Sequence, residues 1–112
     1  MSIESWRSQL RKGAAELAVL AMLRKQELSG IGLLDELAQK PEIGLSDGSI
    51  YPLLNRLERE GRVKGVWVTP KTGGRGQKIY SLTPKGRAAL KTMSAAWSGF
   101  KVQLSTIVGD AP

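Results

Sequence analysis

Three cations, Lys71, Arg75 and Lys78, sit among Gly73, Gly74 and Gly76 in the second half of a 112-residue chain. Cations spread along a glycine-rich stretch can lie on a sugar-phosphate backbone, because neutralising phosphates releases condensed counterions. A second set lies just upstream: Ser49, Tyr51, Asn55 and Arg56. Hydroxyl, amide and guanidinium groups can meet base edges or hold phosphate oxygens. The chemistry is also bounded by what is missing. There is no histidine and no cysteine, which removes the commonest general base, thiolate nucleophiles, disulfides and the usual zinc ligands. The acidic pairs Asp35/Glu36 and Glu58/Glu60 have spacings that point the members of each pair apart on a helix. No constellation for catalysis, metal or cofactor remains, so the chain reads as a non-enzyme. The glycines around Lys71 also lack the Gly-x-x-x-x-Gly-Lys-Ser/Thr order of a nucleotide-binding loop.

Charge placement sharpens this reading. Residues 1–60 carry eight Lys/Arg against nine Asp/Glu, whereas residues 61–112 carry nine Lys/Arg against Asp110 alone. From Arg62 to Lys91 there are eight basic residues and no acid. A one-sided basic field over one segment suits a polyanion, although a solvated basic surface has the same composition. The apolar fraction of 41% fits one domain with a modest core. The longest apolar run, Leu17 to Leu23, is too short to span a bilayer, and the N-terminal MSIESWRSQLRK lacks the order of a signal peptide. A cytoplasmic protein is the simplest expectation.

The elements that must position these residues follow from periodicity. Trp6, Leu10, Leu17, Leu20, Ala21 and Leu23 predict a first helix from Trp6 to Arg24, followed by a loop from Gln26 to Gly30. A short second helix, Ile31 to Gln39, buries Leu33, Leu34 and Leu37 and stops before Pro41. Ile50, Leu53, Leu54 and Leu57, at i, i+3, i+4 and i+7, make one face of a third helix that ends at Gly61. That face turns Ser49, Tyr51, Asn55 and Arg59 outward and puts Arg56 at the margin. Either Ser46 or Ser49 can cap the helix, and the choice decides whether Pro52 loses a backbone hydrogen bond. Strands Val63–Thr69 and Gln77–Leu82 flank the tip Pro70–Gly76 as a hairpin. Thr83-Pro84 then opens a last helix, with Thr as cap and Pro at its first position. The order helix-turn-helix, then hairpin, predicts an α+β, mostly α, winged helix-turn-helix with an added C-terminal dimerisation helix. Residues 1–83 form the winged unit and residues 84–112 the helix, in one compact body.

The last helix carries Leu90, Met93, Trp97, Phe100, Leu104 and Ile107, spaced 3, 4, 3, 4, 3. This is a heptad-like seam that predicts a partner helix and hence a homodimer. Trp97 lies at its centre between Met93 and Phe100. Two such tryptophans facing each other could line a pocket for flat apolar ligands, or Trp97 could only pack the dimer core. Trp6 and Trp67 read as structural, and residues 109–112 as a frayed end.

The segment Leu45-Ser46-Asp47-Gly48-Ser49-Ile50-Tyr51-Pro52-Leu53-Leu54-Asn55-Arg56-Leu57-Glu58 resembles the recognition-helix motif of the PadR family of bacterial transcriptional regulators, internal proline included. Gly61, Val63, Trp67, Gly73-Gly74 and Lys78-Ile79-Tyr80-Ser81-Leu82-Thr83 resemble its wing, and Lys12-Gly13 before the first helix also fits. The resemblance runs from about Arg11 to Trp97. It implies a homodimeric repressor whose last helix packs on the partner's first and last helices. It also implies that Ser49, Tyr51 and the basic wing, with Arg75 and Lys78, face double-stranded DNA; Asn55 and Arg56, from the outward face and margin of the third helix, and Lys12 complete the expected DNA-binding set. In the compact branch that the chain resembles, planar drugs bind between paired tryptophans in some members, so Met93, Trp97 and Phe100 become candidates to bind a small hydrophobic effector. The family often has His-Gly-Tyr at the start of its second helix, where this chain has Ser29-Gly30-Ile31; no DNA contact is assigned to Ser29 or Ile31. The rival expectation is a winged helix that binds a protein instead of specific DNA. Lysines on the wing speak against it, because protein-interface cores are depleted in Lys.

Overall fold

A computed structural model describes residues 2–109. Helix α1 spans Ile3–Lys25, strand β1 Leu28–Ser29, helix α2 Gly30–Leu37, helix α3 Asp47–Arg59, strands β2 Val63–Val68 and β3 Gln77–Leu82, and helix α4 Pro84–Val108. The three strands form one antiparallel sheet in the order β1-β3-β2. This is the expected mostly helical α+β winged helix, with one addition. The predicted loop after α1 contains β1, whose Leu28 and Ser29 pair with Tyr80 and Ile79. Two residues are too few to show a period of two.

The core is shared by every helix. Val19, Leu20, Leu33, Ile50, Leu54 and Leu57 are fully buried, and Val63, Tyr80, Leu82 and Leu90 close the cluster. On α2, Leu33 and Leu37 are buried while Leu34 is half-buried. The helix ends at Leu37, four residues before the proline expected to stop it. In α3 the cap is Ser46, acting through its backbone: its carbonyl accepts from Ser49 N at 3.0 Å and Ile50 N at 2.8 Å. Pro52 therefore lies inside the helix, and the helix runs through it. Gly61 ends this segment with φ +77, a conformation that side chains with a Cβ resist. Thr83 caps α4 as expected: its hydroxyl oxygen accepts from Gly86 N at 3.0 Å.

Helix α4 leaves the body. Only Gly86 and Leu90 are buried along its 25 residues. The radius of gyration is 16.0 Å, against about 13 Å for a compact chain of this length. The longest extent of the molecule is 54 Å, to which the 25 residues of α4 contribute about 37 Å. The expected fraying of residues 109–112 falls mostly on residues 110–112, outside those described; Gly109 caps α4 with φ +79.

Candidate nucleic-acid interface

Because Ile50, Leu54 and Leu57 are fixed inward, Tyr51, Asn55 and Arg59 rise at four-residue intervals along the opposite face of α3, and all three are exposed. Tyr51 does not stand free. Its ring rests on Gly30, the first residue of α2: a Cβ built there would lie 2.4 Å from Tyr51 Cε1. Position 30 must be glycine for the tyrosine to keep this pose, which fixes where its hydroxyl points.

Ser49, at the first turn of α3, and Lys12, on α1, line one shallow cavity of about 240 Å³ with Ser8, Arg11, Gly44 and Leu45. Arg11 Nε donates to the Glu42 carbonyl at 3.2 Å, which ties the α2–α3 connection to α1. Among the described residues neither Arg11 nor Lys12 has a carboxylate partner. The cavity therefore presents two cations without a carboxylate partner and a hydroxyl on one side of the recognition face, a combination suited to a phosphate.

On the other side lies the hairpin. Val63 pairs with Leu82, Gly65 with Tyr80 and Trp67 with Lys78. Lys71 and Arg75 are exposed at the tip, where Gly73 and Gly74 hold φ +85 and +99. Neither cation forms an ion pair among the described residues.

Two of the expected DNA-facing cations are placed differently. Arg56 is held by Glu16 of α1 at 2.9 Å and by Glu60 at 3.0 Å. Hydrogen bonding to Glu16 foremost raises its pKa against the opposing effect of burial. Lys78 Nζ donates to Glu58 Oε1 at 2.7 Å, and this bond is the main reason its pKa is raised. Gly65 makes room for the pair: a Cβ there would lie 2.4 Å from Lys78 Cε and 3.1 Å from Glu58 Oε2. Lys78 thus fastens the wing to α3, and Arg56 fastens α3 to α1, before either could meet a phosphate. Arg62, counted with the basic segment, is likewise paired with Glu16. Sequence spacing shows only the i, i+4 pair of Arg56 with Glu60; of the bonds to Glu16 and Glu58, 20 to 46 positions away, it carries no trace. The one local hint is a glycine inside a strand, at position 65, which signals a close approach.

Along α4 the six seam residues separate. Leu90 is 3% exposed and belongs to the protomer's own core, so it is already occupied there. Met93 is half-buried against that core. Trp97, Phe100, Leu104 and Ile107 are exposed, and the rings of Trp97 and Phe100 stack at 6.1 Å. A second exposed apolar stripe, Ile3, Trp6 and Leu10, runs along the start of α1. Trp6 and Trp67, expected to be structural, are exposed by 50% and 69%. Neither packs the core of a single chain. Among the described residues no group of acidic side chains could hold a metal, and no helix is long and apolar enough to cross a membrane.

Comparison with known proteins agrees with this architecture. A family model described as "Transcriptional regulator PadR-like family" matches residues 19–92. A transcriptional regulator of Mycobacterium tuberculosis, Rv3488, is 34% identical over 82 residues, covering 73% of this chain and 74% of that protein. A PadR-like transcriptional regulator from Bacillus cereus superposes with a TM-score of 0.81 at 27% identity, covering 92% of this chain and 99% of the other. PadR of Bacillus subtilis, solved in complex with operator DNA, superposes with a TM-score of 0.62 at 30% identity, covering 70% of this chain and 45% of that one.

Proposed function

The chain belongs to the PadR-like family of transcriptional regulators, DNA-binding proteins rather than enzymes, and from that premise we propose that it is a dimeric cytoplasmic repressor of an inverted-repeat operator. The carrying observation is the exposed column Tyr51, Asn55 and Arg59 on α3, flanked by the Lys12–Ser49 cavity on one side and the unpaired Lys71 and Arg75 on the other. A helix in the major groove with cations on both flanks spans one groove and its two backbones. In this reading Tyr51 and Asn55 read base edges. Lys12, Ser49 and Arg75 hold phosphates, with Arg11 beside them. Arg56 and Lys78 act mainly by fixing α3 and the wing to the body, and reach phosphate only if DNA outcompetes their carboxylates.

The dimer rests on the apolar residues that one chain leaves uncovered. Trp97, Phe100, Leu104 and Ile107 on α4, together with Ile3, Trp6 and Leu10 on α1, would pack against a second copy. The division at residue 83 is then functional: the reading surface lies within residues 1–83, and residues 84–112, with the start of α1, pair the readers. Two recognition helices related by a two-fold axis meet half-sites about one helical turn apart, or a multiple of it. The stacked Trp97 and Phe100, with Met93 behind them, offer a flat apolar effector a place between the two α4 helices, and its entry would change the spacing of the readers.

Footprinting on selected genomic fragments tests the reading. A protected inverted repeat is expected, with sequence preference relaxed by Tyr51→Ala or Asn55→Ala. Sequence-blind protection that neither substitution changes would instead fit a winged helix whose partner is a protein.

A further inference from the structure

Trp67 is the most exposed of the three tryptophans, at 69%, and nothing in the winged body or along the α4 seam uses it. Strand alternation places it on the same face of the hairpin as Val63 and Gly65. That face packs on the recognition helix: Val63 is buried, and the missing Cβ of Gly65 faces Glu58 of α3. Trp67 lies one step further out, directly across from Lys78, where the core has ended. Its ring extends toward the tip beside Gly76, where a Cβ would stand 3.8 Å from Trp67 Cε3. An indole therefore stands in water between α3 and the cationic tip.

The occupant is chosen by charge. On this face Glu58 is already paired with Lys78, and beyond the ring the tip carries the exposed Lys71 and Arg75, which have no carboxylate partner among the described residues. A surface that covers this tryptophan must be a polyanion that also offers flat apolar area. Duplex DNA meets both demands through deoxyribose and base edges in the minor groove, where apolar side chains are used as wedges. We propose that Trp67 is a DNA-contacting residue that lays its indole against the minor groove beside the recognition helix, as the non-electrostatic part of the wing's grip. The inference rests on the DNA-binding reading of the wing and adds to it a contact that carries no charge.

The test compares full-length wild type, Trp67→Ala and Arg75→Ala on a random-sequence duplex and on the best genomic fragment, over a range of salt. Trp67→Ala is expected to weaken both affinities about tenfold, the scale of losing one aromatic contact to a base, while leaving the salt slope at the wild-type value. Arg75→Ala should flatten the slope by about 0.9. Melting temperature and dimer mass should not move in Trp67→Ala, because the ring lies outside the core. In Trp6→Phe/Trp97→Phe, Trp67 is the sole indole, and saturating duplex should shift its emission and shield it from acrylamide. Affinity unchanged in Trp67→Ala, or a sole Trp67 as open to acrylamide with DNA as without it, overturns the proposal while the DNA reading stands. A wild type that binds no duplex overturns both.

Discussion

Gly30→Ala probes how the central tyrosine of the recognition helix is held. The added Cβ would lie 2.4 Å from Tyr51 Cε1, 2.9 Å from Cζ and 3.0 Å from the hydroxyl oxygen. The contact is with two ring carbons and the hydroxyl of one exposed side chain, so it is relieved only when the ring swings out of its seat. Overpacking of this kind costs about 1–3 kcal/mol. Gly30 opens α2 without a positive φ, so alanine's better helix propensity returns up to about 1 kcal/mol. The net expectation is a loss of about 1–2 kcal/mol, or roughly 4–8 °C in Tm at about 4 °C per kcal/mol. In a Tyr51→Ala background the obstacle is gone, and the same substitution should be neutral or stabilising. Four thermal melts at one protomer concentration close the double-mutant cycle, with an expected coupling of at least about 1 kcal/mol. Gly30→Ala should also pull operator affinity down toward that of Tyr51→Ala, since it displaces the same hydroxyl. If Gly30→Ala costs as much without Tyr51 as with it, the seat does not exist and the placement of Tyr51 is wrong.

Other outcomes follow from the same geometry. Gly86→Ala places a Cβ 1.9 Å from the Arg62 carbonyl oxygen, a backbone atom that cannot swing aside, so it should destabilise by more than about 3 kcal/mol in a denaturant titration. Thr83→Ala loses the cap of α4 and should cost about 1 kcal/mol by the same titration. Glu16→Gln frees Arg56 and Arg62 from their shared anion, whose side chain is 15% exposed; a loss of about 1–3 kcal/mol is expected, less than for a fully buried pair. The raised pKa of Lys78 sets a pH window. The pairing with Glu58 stabilises fully below the unfolded lysine value of about 10.4 and is lost as pH rises through the higher folded value. Melts of wild type and Lys78→Met should therefore differ by a constant amount from neutral pH to about pH 10 and converge above it. Trp97→Glu, placed in the exposed α4 seam, should move sedimentation from dimer to monomer at micromolar concentration.

Elements with a long period or a distinctive start were legible in the sequence. The i, i+3, i+4, i+7 row of Ile50, Leu53, Leu54 and Leu57 located α3, and Thr83-Pro84 located the start of α4 within one residue. The β2–β3 pairing followed from two alternating runs around a glycine-rich tip. Features that depend on distant partners were not legible. Strand β1 exists because β3 offers a free edge to Leu28 and Ser29. A balance of the α3 arginines by Glu60 was readable at i, i+4, but the bonds of Arg56 to Glu16 and of Lys78 to Glu58 exist only once α1 and β3 pack on α3. Leu90 continued the heptad spacing, yet it lies so close to the start of α4 that the protomer's own core claims it. Trp6 and Trp67 read as structural because aromatic residues usually bury, but neither finds a core within one chain.

The measurement that bears most directly on a dimeric reader of an inverted repeat is the affinity and stoichiometry of the best genomically selected duplex, taken across a range of salt beside a random duplex. Two protomers per duplex are predicted, with specific binding at least about a thousandfold tighter than random and a steep negative slope set by the cations of the cavity and the wing. Equal affinity for both duplexes, or one protomer bound per site, would contradict the account.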